Sequence, residues 1–168
     1  PRQVIDAITR YYAAENANNS PQELYVVNNT LVNNRPGGGL FVQMRAGTTA
    51  RIVNNIFYGP GTPWSSGSTV TAAGNYIETG YNNSPGFKNP AAFDFHLTAG
   101  SPAGSGGVVN AGAAPGTSSA GYDLTPAYQY VYDAQREPRV PSGAIDVGAF
   151  ELVGSSAPPA APANLSVR

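Results

Sequence analysis

The sequence predicts an all-β fold in which short strands stack as successive turns of a three-faced coil, and three observations lead there. The first is an internal repeat: Leu24 to Asn34 (LYVVNNTLVNN) overlays Ala50 to Gly59 (ARIVNNIFYG) at an offset of about 26 residues. In that overlay Val27 matches Val53, Asn28 and Asn29 match Asn54 and Asn55, Leu31 matches Phe57 and Val32 matches Tyr58. The second is a degraded third copy, Ala72 to Ile77, which overlays Ile52 to Phe57 at an offset of about 20. Such units cannot bury their apolar face alone and must stack on a copy. The third is composition: 20 Gly and 15 Pro with only 11% charged residues favour short strands joined by turns over helices.

Charge and composition also exclude function classes. A net charge of -1 leaves no basic field for nucleic acid and no polybasic membrane patch. No apolar run approaches the length of a membrane span, so no membrane insertion is expected. Without cysteine there are no disulfides and no thiolate metal sites. The Asn, Gly and Thr-rich character fits a bacterial exterior. Pro1 opens the chain without an initiator Met, and the expectation is a fragment of a longer secreted protein.

In chain order, Gln3 to Asp6 suits the strand of an earlier turn, whereas Ile8 to Ala14 is equally compatible with a helical turn. Asn16 to Gln22 (NANNSPQ) reads as a loop. The first repeat is followed by a turn at Arg35 to Gly39, a strand at Leu40 to Arg45 and a turn at Ala46 to Thr49 that leads into the second copy. In the third copy Gly74 replaces the first Asn while Asn75 keeps the second. Ala92 to Leu97 alternates as a half-buried strand does. Ser101 to Ala120 is a low-complexity loop expected to wrap the coil, Tyr122 to Tyr132 is tyrosine-rich, and Gly143 to Glu151 is a last alternating strand. The organisation expected is therefore stacked turns over 1–97, wrap and closing strand over 98–153, and a Pro/Ala linker over 154–162. Residues 163–168 look like the opening of a fibronectin type III module.

Several of these stretches together resemble the C-terminal part of bacterial secreted proteins of the pectate-lyase-like superfamily. The Asn-Asn copies carry part of the likeness. More specific are Asp94 to Ala103 (DFHLTAGSPA), Arg136 to Arg139 (REPR) and Gly143 to Glu151 (GAIDVGAFE). The resemblance implies a right-handed parallel β-helix, here its C-terminal rungs closed by a long irregular wrap. Members usually read SPAIDAG without a break, whereas here Gly104 to Val108 interrupt it and Asn110 stands where Asp is usual. A structural role survives that change more easily than a catalytic one. The family's lyases use a Lys or Arg base near calcium-binding acids. Calcium is thus expected only for a longer parent, with no cofactor or metal in this segment.

Candidate residues follow from these readings. Asn28, Asn29, Asn54, Asn55 and Asn75 are expected at a corner between two faces, where Asn tolerates a left-handed backbone and its amide bonds the Asn of the next turn. Their regular spacing argues against a sugar site. Arg45 and Arg51 flank one turn and, with Tyr58 and Trp64, are the candidates for an anionic sugar; the competing expectation is solvated edge charges and packed rings. Asp146 and Glu151 are expected to cap turns of the closing motif, with Arg136 and Arg139 tying the same loop through Glu137 or Asp146. His96, the only histidine, is expected to be packed or capped. No catalytic residue is expected in this segment. Two functions compete: an extracellular structural or adhesive module, and the end of a polysaccharide lyase or glycoside hydrolase with its chemistry upstream. Expected partners are preceding turns or another copy of the chain, and polysaccharide.

Overall fold

The computed structural model describes residues 9–10, 22–131 and 135–152. The stretches Gln3 to Asp6, Asn16 to Pro21, the 154–162 linker and the 163–168 start of a following module lie outside the described residues. The fold is all-β. Nine strands form three three-stranded sheets, and every pairing in them is parallel. The first sheet holds β1 (Thr9–Arg10), β4 (Leu40–Gln43) and β7 (Thr62–Trp64). The second holds β2 (Glu23–Val27), β5 (Thr49–Val53) and β8 (Thr69–Ala73). The third holds β3 (Thr30–Val32), β6 (Ile56–Tyr58) and β9 (Tyr76–Glu78). The chain visits the three sheets in rotation, so each circuit adds one strand to each, and none closes into a barrel. Thr9–Arg10 is extended and pairs with Val42–Gln43, which excludes the helical alternative at those two residues.

The pairing register reproduces the sequence overlays. Val27 pairs with Val53, and Val53 with Ala73. Leu31 pairs with Phe57, and Phe57 with Ile77. The offset shrinks along one circuit, from 26 at Val32↔Tyr58 to 22 at Leu40↔Thr62 and 20 at Thr49↔Thr69. The shortening occurs in the turns, because a slip inside a strand would move every side chain to the opposite face.

The apolar residues divide between two cores, and along the strands of the third sheet they alternate between them. The interior of the stack is filled by Val26, Leu31, Phe41, Val42, Met44, Ala50, Ile52 and Phe57. Phe57 packs edge-on against both Phe41 and Trp64, contacts worth about 0.5–1.5 kcal/mol each beyond area burial. The outer face of the third sheet carries Val32, Ile56 and Tyr58 and is covered by a second cluster, including Phe87, Phe95, Leu97, Val108, Val109 and Val147. Phe87 and Phe95 belong to a hairpin, β10 (Phe87–Asn89) and β11 (Asp94–Leu97), whose strands pair antiparallel with each other. Within 1–97, then, parallel stacking ends at β9 and the hairpin turns back onto the flank. β11 shows the alternation expected of a half-buried strand.

The wrap likewise runs along the flank rather than over the end of the stack. Ala113 meets Asn54, Pro115 and Thr117 meet Arg51, and Ser119 meets Tyr25 and Glu23. It thus descends from the second circuit to the first. An exposed hairpin, β12 (Tyr128–Val131) with β13 (Gln135–Pro138), follows. The chain then returns to the corner between the second and third sheets, where Asp146, Gly148 and Ala149 meet Asn28, Asn54 and Thr30.

Candidate functional site

The densest polar constellation is that corner, and the backbone explains why Asn occupies it. Asn28 and Asn54 have φ of 53° and 57°, and Gly74 in the third copy has 61°. This left-handed region is tolerated by Asn and Gly and penalised for most other side chains. The bend ends one strand and starts the next on a different face.

The two members of each pair do different work. The second members form the ladder: Asn55 Oδ1 accepts from Asn29 N at 2.9 Å and from Asn29 Nδ2 at 3.2 Å. Asn75 Oδ1 accepts from Asn55 N at 2.9 Å and Asn55 Nδ2 at 3.0 Å. Asn55 also donates to Val26 O, and Asn75 to Ile52 O. The first members face the wrap. Asn28 Nδ2 donates to Asp146 O at 2.8 Å. Asn54 Nδ2 donates to Ala113 O at 2.8 Å and its Oδ1 accepts from Ala113 N at 2.7 Å, a two-bond clasp. Asn54 Nδ2 also reaches Asn28 Oδ1 at 3.3 Å. The departure at Gly74 follows from this clasp: a Cβ there would lie 2.4 Å from Asn54 Oδ1 and 3.1 Å from Ala113 N. The wrap takes the place that a third Asn side chain would fill. Regular spacing in the sequence concealed the division, which depends on where residues 59 positions away return.

Behind the first members lies a buried ion pair. Arg139 Nε donates to Glu151 Oε1 at 2.7 Å, with both side chains almost wholly excluded from solvent. Arg139 also donates to Gly148 O and Asp146 O, and Glu151 accepts from Asp146 N. Asp146 Oδ1 accepts from Asn110 N and its Oδ2 from Leu152 N. Burial pushes the Glu151 carboxyl above its ordinary value although Arg139 stands beside it, and burial lowers the Arg139 guanidinium. The sequence expectation joined Arg139 to Glu137 or Asp146. Arg139 does reach Asp146, at its carbonyl oxygen, but its carboxylate partner is Glu151, and Glu137 accepts from Gln129. Arg136 is on the exposed hairpin, its guanidinium 4.5 Å from the Tyr128 ring centroid, and does not join the buried cluster. An arginine twelve residues before an acid in a Gly-rich motif was the available signal, but pairing across that gap needs the fold.

The sugar-site candidates do not converge. Tyr58 is 4% exposed inside the outer-face core, so its ring has no free face for stacking. Trp64 faces the interior of the stack beside Phe57. Arg51, on the outer face of the second sheet, donates to Pro115 O and Thr117 O at 3.1 Å each, tying down the wrap. Arg45 is exposed just after β4, where its carbonyl accepts from Thr48 N and Ser68 Oγ. Burial and wrap contacts remove Tyr58 and Arg51 from a shared surface.

His96 and Asp94 form the other polar group. His96 Nδ1 lies 2.6 Å from Asp94 Oδ1, the His96 ring stacks on Phe150, and Lys88 Nζ approaches Asp94 Oδ2 at 3.2 Å. The hydrogen bond from His96 holds the Asp94 carboxyl below its ordinary range. An open hollow lies beside the closing motif, lined by Val109, Asn110, Ser142, Asp146 and Leu152. Both Asp146 oxygens are already committed to backbone donors there. Among the described residues no group of three His, Cys, Asp or Glu side chains is placed to hold a metal ion. No family profile, curated protein or solved structure matches the chain.

Proposed function

We propose that this chain is a structural module: the last turns of a right-handed parallel β-helix of the pectate-lyase-like kind, with a wrap that locks them, in an extracellular bacterial protein. The observation that carries this reading is the Asn29–Asn55–Asn75 ladder together with the Asn54–Ala113 clasp. Polar side chains at the corner hold one turn to the next, or hold the wrap to the turns. A binding or catalytic surface would instead aim different residues outward at successive levels. Arg51 and the Arg139–Glu151 pair serve the same end, each fixing the wrap or closing motif to itself or to the stack.

The test pairs stability with turnover. Asn54→Ala is expected to lower the unfolding midpoint and to speed amide exchange at Ala113 and Gly148, which bond to Asn54. The same chain, incubated with uronate polymers, is expected to release neither unsaturated products nor reducing ends. Turnover abolished by a substitution at Asp94 or His96 would replace the structural reading with an enzymatic one.

A further inference from the structure

The wrap lies on the flank, and among the described residues no strand caps the C-terminal end of the stack. β8 is the last strand of the second sheet, and no described strand pairs with its outer edge. Thr69 N donates to Thr48 O, and Ala73 O accepts from Asn54 N. With the twofold alternation of a parallel ladder, the N–H and C=O groups of Val70 and Ala72 therefore point away from β5. The side chains of the same two residues continue the interior column of Ala50 and Ile52. Ile77 continues the column of Leu31 and Phe57, yet it is 49% exposed where Phe57 is wholly buried. The end is thus an apolar surface rimmed by peptide groups that no described strand pairs.

The three rims differ in how they are protected. β7 contains Pro63, which has no N–H to offer, and β9 ends in Glu78. Pro and charge are the usual means of blunting an edge. β8 reads Thr-Val-Thr-Ala-Ala, five residues with no charge and no Pro, almost all exposed. Such an edge accepts another strand. A turn stacked in parallel across the whole end would meet Pro63 on the first sheet. Antiparallel pairing confined to β8 avoids it.

We propose that β8 pairs antiparallel with β8 of a second copy of this chain, about a two-fold axis through Thr71. This deepens the structural reading, because it rests on the stacked turns that create the edge. Val70 then stands opposite Ala72 of the second copy, and Ala72 opposite Val70. Each pair exchanges two hydrogen bonds, so all the outward peptide groups of Val70 and Ala72 in both copies are satisfied. The absence of charge on β8 leaves nothing to repel an identical strand. The arrangement is isologous and closed, so it ends at a dimer instead of growing into a fibre.

The chain has no cysteine, which makes a thiol introduced at the axis diagnostic. Thr71 would face itself at a non-hydrogen-bonded position with Cα atoms about 4.5 Å apart, within disulfide reach. Thr71→Cys in the whole chain is expected to give a covalent dimer under mild oxidation, while Ser105→Cys, exposed in the flank loop, stays monomeric. Unmodified protein is expected to sediment as a dimer at high concentration. Thr71→Glu places like charges across the axis and is expected to weaken the dimer by up to about fivefold. In the same chain Glu at 71 neighbours Arg51 on β5, which favours the folded turns. A monomer at all concentrations with native circular dichroism would overturn the dimer alone. Open-ended polymers would replace it with head-to-tail stacking. Loss of the β spectrum and of cooperative melting in the unmodified chain would count against the stacked fold itself.

Discussion

Replacing Arg139 by Met removes the cation from a pair whose side chains are 1% and 4% exposed, leaving the Glu151 carboxylate buried without a counter-ion. Breaking a buried pair from one side costs about 3–5 kcal/mol, far more than losing a surface bridge. The magnitude for the double variant Arg139→Met, Glu151→Leu follows from what each group leaves behind. Asp146 O loses Arg139 but still accepts from Asn28 Nδ2 at 2.8 Å, and Gly148 O keeps a long contact from the same nitrogen at 3.5 Å. Asp146 N, which donates to Glu151, is left without an acceptor. One orphaned buried donor costs about 1–3 kcal/mol. The double variant should therefore be less stable than the parent by about that amount, yet more stable than Arg139→Met alone. Urea unfolding of the four proteins of this cycle measures the coupling. A single-variant loss under about 1 kcal/mol, or a double-variant loss equal to the sum of the singles, would refute the reasoning from a desolvated, coupled pair.

Further outcomes test the corner, the core and the pH response. Asn55→Ala removes an amide that bonds above and below it and should cost about 2–3 kcal/mol, whereas exposed Asn29→Ala should cost under about 1 kcal/mol by the same urea assay. Gly74→Ala should cost at least about 1–2 kcal/mol, since φ is 61° and its Cβ would lie 2.4 Å from Asn54 Oδ1; a neutral result would mean the wrap does not sit there. Thr48 Oγ1 is buried with no hydrogen-bond partner among the described residues, so Thr48→Val should be neutral or stabilising by up to about 1 kcal/mol in thermal unfolding. Asp94 has its folded pKa depressed below 3.8 by His96, so its contribution is present above that value and lost as pH falls through the folded value. Asp94→Asn should accordingly flatten the acid limb of the stability profile below about pH 4. An unchanged limb would show that the His96 contact is not made in solution.

The repeat was legible because stacking imposes a one-to-one match between turns. Val27, Val53 and Ala73 align in the sequence and pair in the sheet. The left-handed corner was legible for a similar reason: Asn, Asn and Gly recur where the backbone must bend, and few other residues tolerate that φ. The carboxylate partner of Arg139 and the acceptors of Arg51 were not legible. Each arginine bonds to a segment whose return path is set by packing against the outer face of the third sheet, and no local pattern encodes that path. Tyr58 shows the same limit, because an aromatic at an outward position looks the same in sequence whether solvent or Phe87 lies over it.

By itself, then, the sequence determined which residues stack on which and where the chain bends, since these depend on repeat spacing and backbone sterics. The tertiary structure decided that the wrap covers the flank and that no described strand pairs with the outer edge of β8. It also decided that the first Asn of each pair faces that wrap while the second faces the next turn. Those outcomes depend on contacts between residues dozens of positions apart, where burial of Val108, Val109 and Val147 against Ile56 and Tyr58 fixes the path of the chain.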